Sequence, residues 1–171
     1  MARPRGSRVL GNNKAGNRQP ARRQSTIKTL TMDFEITVDV AAPPDVVWSV
    51  MSDAERWHEW TPSVRSIRIL DKPLRIGSRA LIRQPRFPPA LWKVTALEPG
   101  RSFTWKSGVP GMWVYARHSV APAQGGSRAH LHLHYEGALG ALLARMTRDI
   151  TNRYLGLEAA GLKKRSEERA T

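Results

Sequence analysis

From Ala138 to about Arg165 the chain runs without a proline, and alanine, leucine and arginine are common there. Such a stretch predicts one long helix. Leu139, Leu142, Leu143, Met146, Ile150, Tyr154, Leu157 and Leu162 fall on a single apolar stripe, while Arg145, Arg148, Asp149, Asn152 and Arg153 mostly fill the other faces. A helix of about 25 residues spans roughly 37 Å, enough to cross a whole sheet. It is the one long amphipathic element available to cover a sheet face, so the sheet must be built around it.

The residues ahead of that helix supply the sheet. Phe34 to Val40 alternates apolar and polar, as a half-buried strand does. Ala42-Pro43-Pro44-Asp45 ends it, and proline is tolerated in the first turn of the helix that Val46, Val47, Val50 and Met51 describe. Ser52-Asp53 reads as a break before a second short helix at Ala54–Trp57. Six further strand patterns follow, at Val64–Leu70, Ser78–Gln84, Leu91–Leu97, Ser102–Lys106, Trp113–Ala121 and Ala129–Tyr135. Turn residues such as Glu98-Pro99-Gly100-Arg101 and Gly125-Gly126 separate several of them. Short strands joined by short turns predict an antiparallel meander. The expected fold is α+β: a curved seven-stranded antiparallel sheet around one long C-terminal helix, with two short helices after the first strand. A twisted sheet and a cylinder leave space between them, which is a natural ligand cavity.

Charge is unevenly spread. The whole chain has 28 Lys/Arg against 14 Asp/Glu, a net charge of +14. Residues 1–31 hold eight of the basic residues and no acid, which leaves +6 from Met32 onward. That segment is almost free of apolar residues and is expected to be a disordered basic tail. It reads either as a mis-assigned start with Met32 as the initiator, as an arm touching nucleic acid or anionic lipid, or as a transit peptide. The folded domain is expected over 32–168. No specific nucleic-acid partner is expected of it, since the excess charge is mostly the tail's. Membrane contact is expected to be transient at most, because no apolar run approaches the roughly 18 residues a span needs. The chain has no cysteine, which excludes disulfides and thiolate metal sites and suits the cytoplasm.

Several short motifs, taken in order, resemble the SRPBCC superfamily of START-like proteins, specifically its polyketide cyclase/dehydrase type. They are Ala42-Pro43-Pro44-Asp45-Val46-Val47-Trp48, the segment Asp53 to Pro62 with Trp60-Thr61-Pro62, Gly77, Trp92-Lys93-Val94, Glu98 to Trp105, Gly125-Gly126-Ser127-Arg128 and Gly137. The resemblance runs from about Phe34 to Glu168. It implies a helix-grip fold and a hydrophobic cavity. It implies no particular reaction, because a fold hosts many functions.

Candidate site residues follow from strand alternation. Trp92, Phe103 and Trp105 occupy alternating strand positions where they would line a pocket or simply pack, and an aromatic wall suits a planar ligand. Val94, Tyr115, Leu131, Leu133, Leu142, Met146 and Ile150 complete the expected ligand-binding set. His118 is the candidate for a hydrogen-bonding or acid–base group in the cavity, against the plainer reading of a satisfied sheet histidine. Glu136 and Asp149 are the acids expected nearest the cavity. His130, His132 and His134 share one strand face, but alternate residues on a strand lie roughly 6.5–7 Å apart. That is too far for convergent zinc ligands, so they are expected on the outer face with no metal. No cofactor is expected. The function these features favour is binding or carriage of a hydrophobic small molecule, lipid or polyketide-like. The alternatives are a cyclase/dehydratase-type enzyme using a cavity His or acid, and a basic-tail adaptor for nucleic acid or anionic membrane.

Overall fold

The computed structural model describes residues 30–171. The basic tail therefore lies almost wholly outside the described residues. The chain opens with β1 (Thr31–Val40), α1 (Pro44–Ser52) and a short 3-10 helix (Ala54–Glu59). Six strands follow: β2 (Ser66–Ile69), β3 (Arg79–Arg83), β4 (Ala90–Glu98), β5 (Ser102–Val109), β6 (Met112–Ala123) and β7 (Gly126–Glu136). All seven join in one sheet of order β1-β7-β6-β5-β4-β3-β2, every pair antiparallel. The consecutive meander runs from β2 to β7, and β1 closes the other edge against β7. The expected fold class is the observed one.

The helical end departs from the expected single straight stripe. The chain forms α2 (Ala138–Met146) and α3 (Arg148–Ala170), which meet at Thr147. Thr147 donates its hydroxyl to the Leu143 carbonyl at 2.8 Å, which also accepts from the Thr147 backbone N–H. A threonine hydroxyl that bonds back into its own turn bends a helix. The bend resets the face that meets the sheet. On α2, Gly140 and Ala144 are buried, while Leu142 and Met146 are 55% and 77% exposed. On α3 the buried set is Thr151, Leu155, Glu158, Ala159, Leu162 and Ser166.

The C-terminal half of α3 is fastened to the rest. Leu162 is buried to 1% exposure, worth roughly 1.5–3 kcal/mol of transfer free energy. A Cβ added at Gly161 would sit 2.1 Å from the Trp60 carbonyl oxygen, so only glycine permits this approach of helix to 3-10 helix. Glu167 accepts from the Ala41 N–H at 2.8 Å, and Arg165 reaches Glu59 at 3.0 Å. Pro110-Gly111 forms the tight turn between β5 and β6.

Apolar packing falls into two clusters. One gathers Val47, Met51, Trp57, Phe103, Trp105 and Leu162. The other joins Phe34, Leu131, Tyr135, Ala144, Leu155 and Ala159. A cavity lies between them, lined by members of both.

Candidate functional site

The cavity has a volume of about 450 Å³. Its floor is the concave face of β2 to β7, and its roof is α3 with the end of α2. Trp57, Trp92 and Trp105 form an aromatic wall, with Trp57 and Trp105 rings 5.5 Å apart and Trp92 and Trp105 rings 6.0 Å apart. Leu131 and Leu133 line the floor from β7. Phe87 and Pro88, in the β3–β4 connection, line it opposite Tyr154 of α3. The Tyr154 hydroxyl donates to the Pro85 carbonyl, and the Phe87 and Tyr154 rings meet edge to face at 5.9 Å.

One polar pair interrupts this apolar surface. His118 projects from β6 and Glu158 from α3, and His118 Nε2 lies 2.7 Å from Glu158 Oε1. Both residues line the cavity and both are deeply buried, at 4% and 9% exposure. Phe103 stacks flat on the His118 ring at 4.8 Å, and Trp57 stands 5.0 Å from it. These rings fix the imidazole plane so that Nε2 faces the helix. His118 Nδ1 is buried with no hydrogen-bond partner. A buried polar atom without a partner is costly, and such atoms concentrate where a site does chemistry or awaits a ligand. Nearby, burial pushes the Tyr135 phenol above its usual range, while hydrogen bonds with Thr151 and Thr147 pull the other way. The phenol is therefore uncharged at neutral pH.

Of the expected lining residues, Trp92, Trp105, Leu131 and Leu133 do line the cavity, as does His118. The others lie elsewhere. Phe103 is fully buried behind His118, one layer away from the space. Val94 is sealed within the sheet at 1% exposure, opposite Trp105. Tyr115 points to the convex face, where its ring lies 6.0 Å from that of His134 and 4.9 Å from the Lys106 amine. Leu142 and Met146 face outward and Ile150 is half-buried off the cavity, because the break at Thr147 rotates the stripe. Leu143, Thr151, Tyr154, Leu155 and Glu158 form the helical wall instead.

Glu158 is the residue that the sequence reading missed, in favour of Glu136 and Asp149. A signal was present: Glu158 stands three residues after Leu155 and four before Leu162, so it shares their face. A lone acid on a buried helix stripe is itself a site marker.

The three aligned histidines occupy the convex face and pair with acids of β1. His132 Nε2 and His134 Nδ1 both lie 2.8 Å from Asp33 Oδ1, and His130 Nε2 lies 3.0 Å from Glu35 Oε2. Among the described residues no His, Asp and Glu cluster has the geometry to hold a metal ion. No helix there is long and apolar enough to cross a membrane.

The fold has many solved counterparts. A norcoclaurine synthase point mutant of Thalictrum flavum, solved with a transition state analogue, aligns with a TM-score of 0.68 at 16% identity, covering 85% of this chain and 99% of that one. The Zhui aromatase/cyclase of Streptomyces sp. R1128 aligns at 0.65 and 18% identity, covering 83% and 97%. The di-domain aromatase/cyclase StfQ of the steffimycin pathway aligns at 0.67 and 18% identity, covering 82% of this chain and 52% of that one. At such identities the likeness is one of fold. No curated protein sequence matches the chain. A family model described as polyketide cyclase / dehydrase and lipid transport matches residues 31–167, nearly all of the described chain, and the chain belongs to that family.

Proposed function

We propose that this protein binds and carries a hydrophobic small molecule, lipid or polyketide-like, in the cavity between sheet and α3. The cavity itself carries the reading: about 450 Å³ of space walled by aromatic and aliphatic side chains with one buried polar pair. A pocket of that size and lining suits a drug-sized apolar ligand held in orientation by few polar groups. The three tryptophans favour a planar, ring-bearing body over a flexible chain. The cytoplasm is the compartment we propose, in keeping with a cysteine-free chain. The test is saturable binding of N-phenyl-1-naphthylamine, with blue-shifted probe emission at micromolar concentration. Ala116, on the cavity floor and 5% exposed, supplies the control. Ala116→Leu should weaken binding about tenfold by filling the space. Unsaturable binding, or equal binding by A116L, would refute the reading.

The buried His118–Glu158 pair favours a second reading, an enzyme of the cyclase/dehydratase kind. A carboxyl with one oxygen on an imidazole can take a proton from a bound carbonyl compound while the imidazole steadies it. Protein-dependent deuterium exchange at the carbon beside the carbonyl of 1-tetralone, read by NMR in D₂O, separates the two. Exchange above the buffer rate supports an enzyme, and the buffer rate alone supports carriage.

A further inference from the structure

We infer that the cavity selects ligands that bring a hydrogen-bond donor, a hydroxyl or an amine, and rejects carboxylates. This rests on the cavity-binding reading above and specifies its ligand class.

The 2.7 Å contact between His118 Nε2 and Glu158 Oε1 needs a proton on that line. If the proton sits on Nε2, Glu158 is a carboxylate and its other oxygen, Oε2, is an acceptor. If the proton sits on Oε1, Oε2 is a carbonyl-type oxygen and again an acceptor. A proton on Oε2, with Nε2–H donating to Oε1, is the third arrangement, and there Oε2 is a hydroxyl oxygen that still accepts. In every arrangement Oε2 keeps a lone pair for a donor. It makes no hydrogen bond to the protein among the described residues, and it is not among the sealed polar atoms. Glu158 lines the cavity, so Oε2 opens onto it.

Most hydroxyl donors of the wall are already spent. Tyr154 donates to Pro85, Ser107 to the Leu91 carbonyl, and Thr151 leans on the Thr147 hydroxyl at 3.4 Å. What remains is neutral, namely the Gln84 amide, the Tyr135 phenol and the indole N–H groups of Trp92 and Trp105. These can meet a ligand carbonyl. Among the described residues no lysine or arginine lines the cavity, and the His118 imidazole is already taken up by Glu158, so no free cation stands beside Glu158 for a second anion. An uncompensated buried carboxylate is strongly disfavoured, whereas a donor reaching Oε2 satisfies an acceptor that the protein's own groups leave free. A fatty acid is therefore a poor fit for this cavity, and a phenol, alcohol or amine of planar shape is a good one.

Three two-ring probes of nearly equal shape test this with the full chain at pH 7, read by quenching of tryptophan fluorescence. 1-Naphthol should bind about tenfold more tightly than naphthalene and about a hundredfold more tightly than 1-naphthoate. In the double variant H118L/E158L the advantage of naphthol over naphthalene should shrink to within about threefold, with naphthalene still bound. Equal binding of naphthol and naphthalene by the native chain would overturn the inference. So would tightest binding of the carboxylate, or an unchanged ranking in the double variant. Failure of all three probes to bind would instead remove the cavity-binding reading beneath it.

Discussion

The two faces of the sheet use the same residue type in opposite ways. On the concave face His118 is sealed under α3, stacked by Phe103 and bonded to one acid, with its second nitrogen unpartnered. On the convex face His130, His132 and His134 stand partly in water and share Asp33 and Glu35. The convex set has more contacts with acids yet less at stake, because solvent stands ready to replace any partner that is lost. The concave pair has one partner each and is shielded from bulk solvent beneath α3. Counting charged contacts would rank the faces in the wrong order; burial ranks them correctly.

Tryptophan gives the sharpest contrast. Trp105 is 2% exposed and walls the cavity, so Trp105→Ala should cost about 3–5 kcal/mol in urea unfolding. Trp113, half-buried on the convex face beneath Lys106 at 3.7 Å, should cost under about 1 kcal/mol. Similar losses at both positions would break the comparison.

The histidines come next. His118→Leu leaves Glu158 without its partner and should cost about 3 kcal/mol, while His132→Leu should stay within about 0.5 kcal/mol of the native chain. The double variant H118L/E158L should recover most of the loss, since a buried pair replaced by apolar side chains of similar volume is often neutral. A double variant as unstable as H118L would show that packing, not pairing, sets the cost.

Acid provides the mildest test. Asp33 feels burial, which raises its pKa, but hydrogen bonds from His134 and His132 outweigh it and leave the pKa below the usual value. At the β2–β3 edge, hydrogen bonding by the Arg79 side chain and backbone lowers Asp71 from 3.8 to about 2. A lowered folded-state pKa gives stability that is whole above the ordinary value and is lost as pH falls through the folded one. Stability should therefore decline from about pH 3.8 towards 2. Asp71→Asn should flatten that decline without changing the slope above pH 5. An unaltered acid limb in D71N would mean that these exposed carboxylates carry no linkage.

The strands were legible because each is short, alternating and bounded by turn residues such as Glu98-Pro99-Gly100-Arg101. Leu131 and Leu133 could be assigned to the concave face by parity alone, opposite the three histidines. The helix was not legible to the same degree. A stripe drawn through Leu139, Leu142, Met146 and Ile150 assumes one straight axis, and one threonine hydroxyl at position 147 breaks that assumption. Beyond the break, Thr151, Glu158 and Ser166 belong to the buried face of α3, so hydrophobicity no longer marks it. Tyr115 stands three residues before His118 and so takes the opposite, convex face, which parity alone assigns; Phe103 failed for another reason. Alternation tells one face from the other, but it does not tell the first layer of side chains from the second.

The approach of Gly161 to Trp60 has a consequence for traffic. There, main chain lies against main chain, and no rotamer change can part it. Between Tyr154 and Phe87, by contrast, only side chains meet, and these rotate on far shorter timescales than a backbone seam separates. A guest that enters between those two rings would wait on their rotation rather than on movement of the long helix.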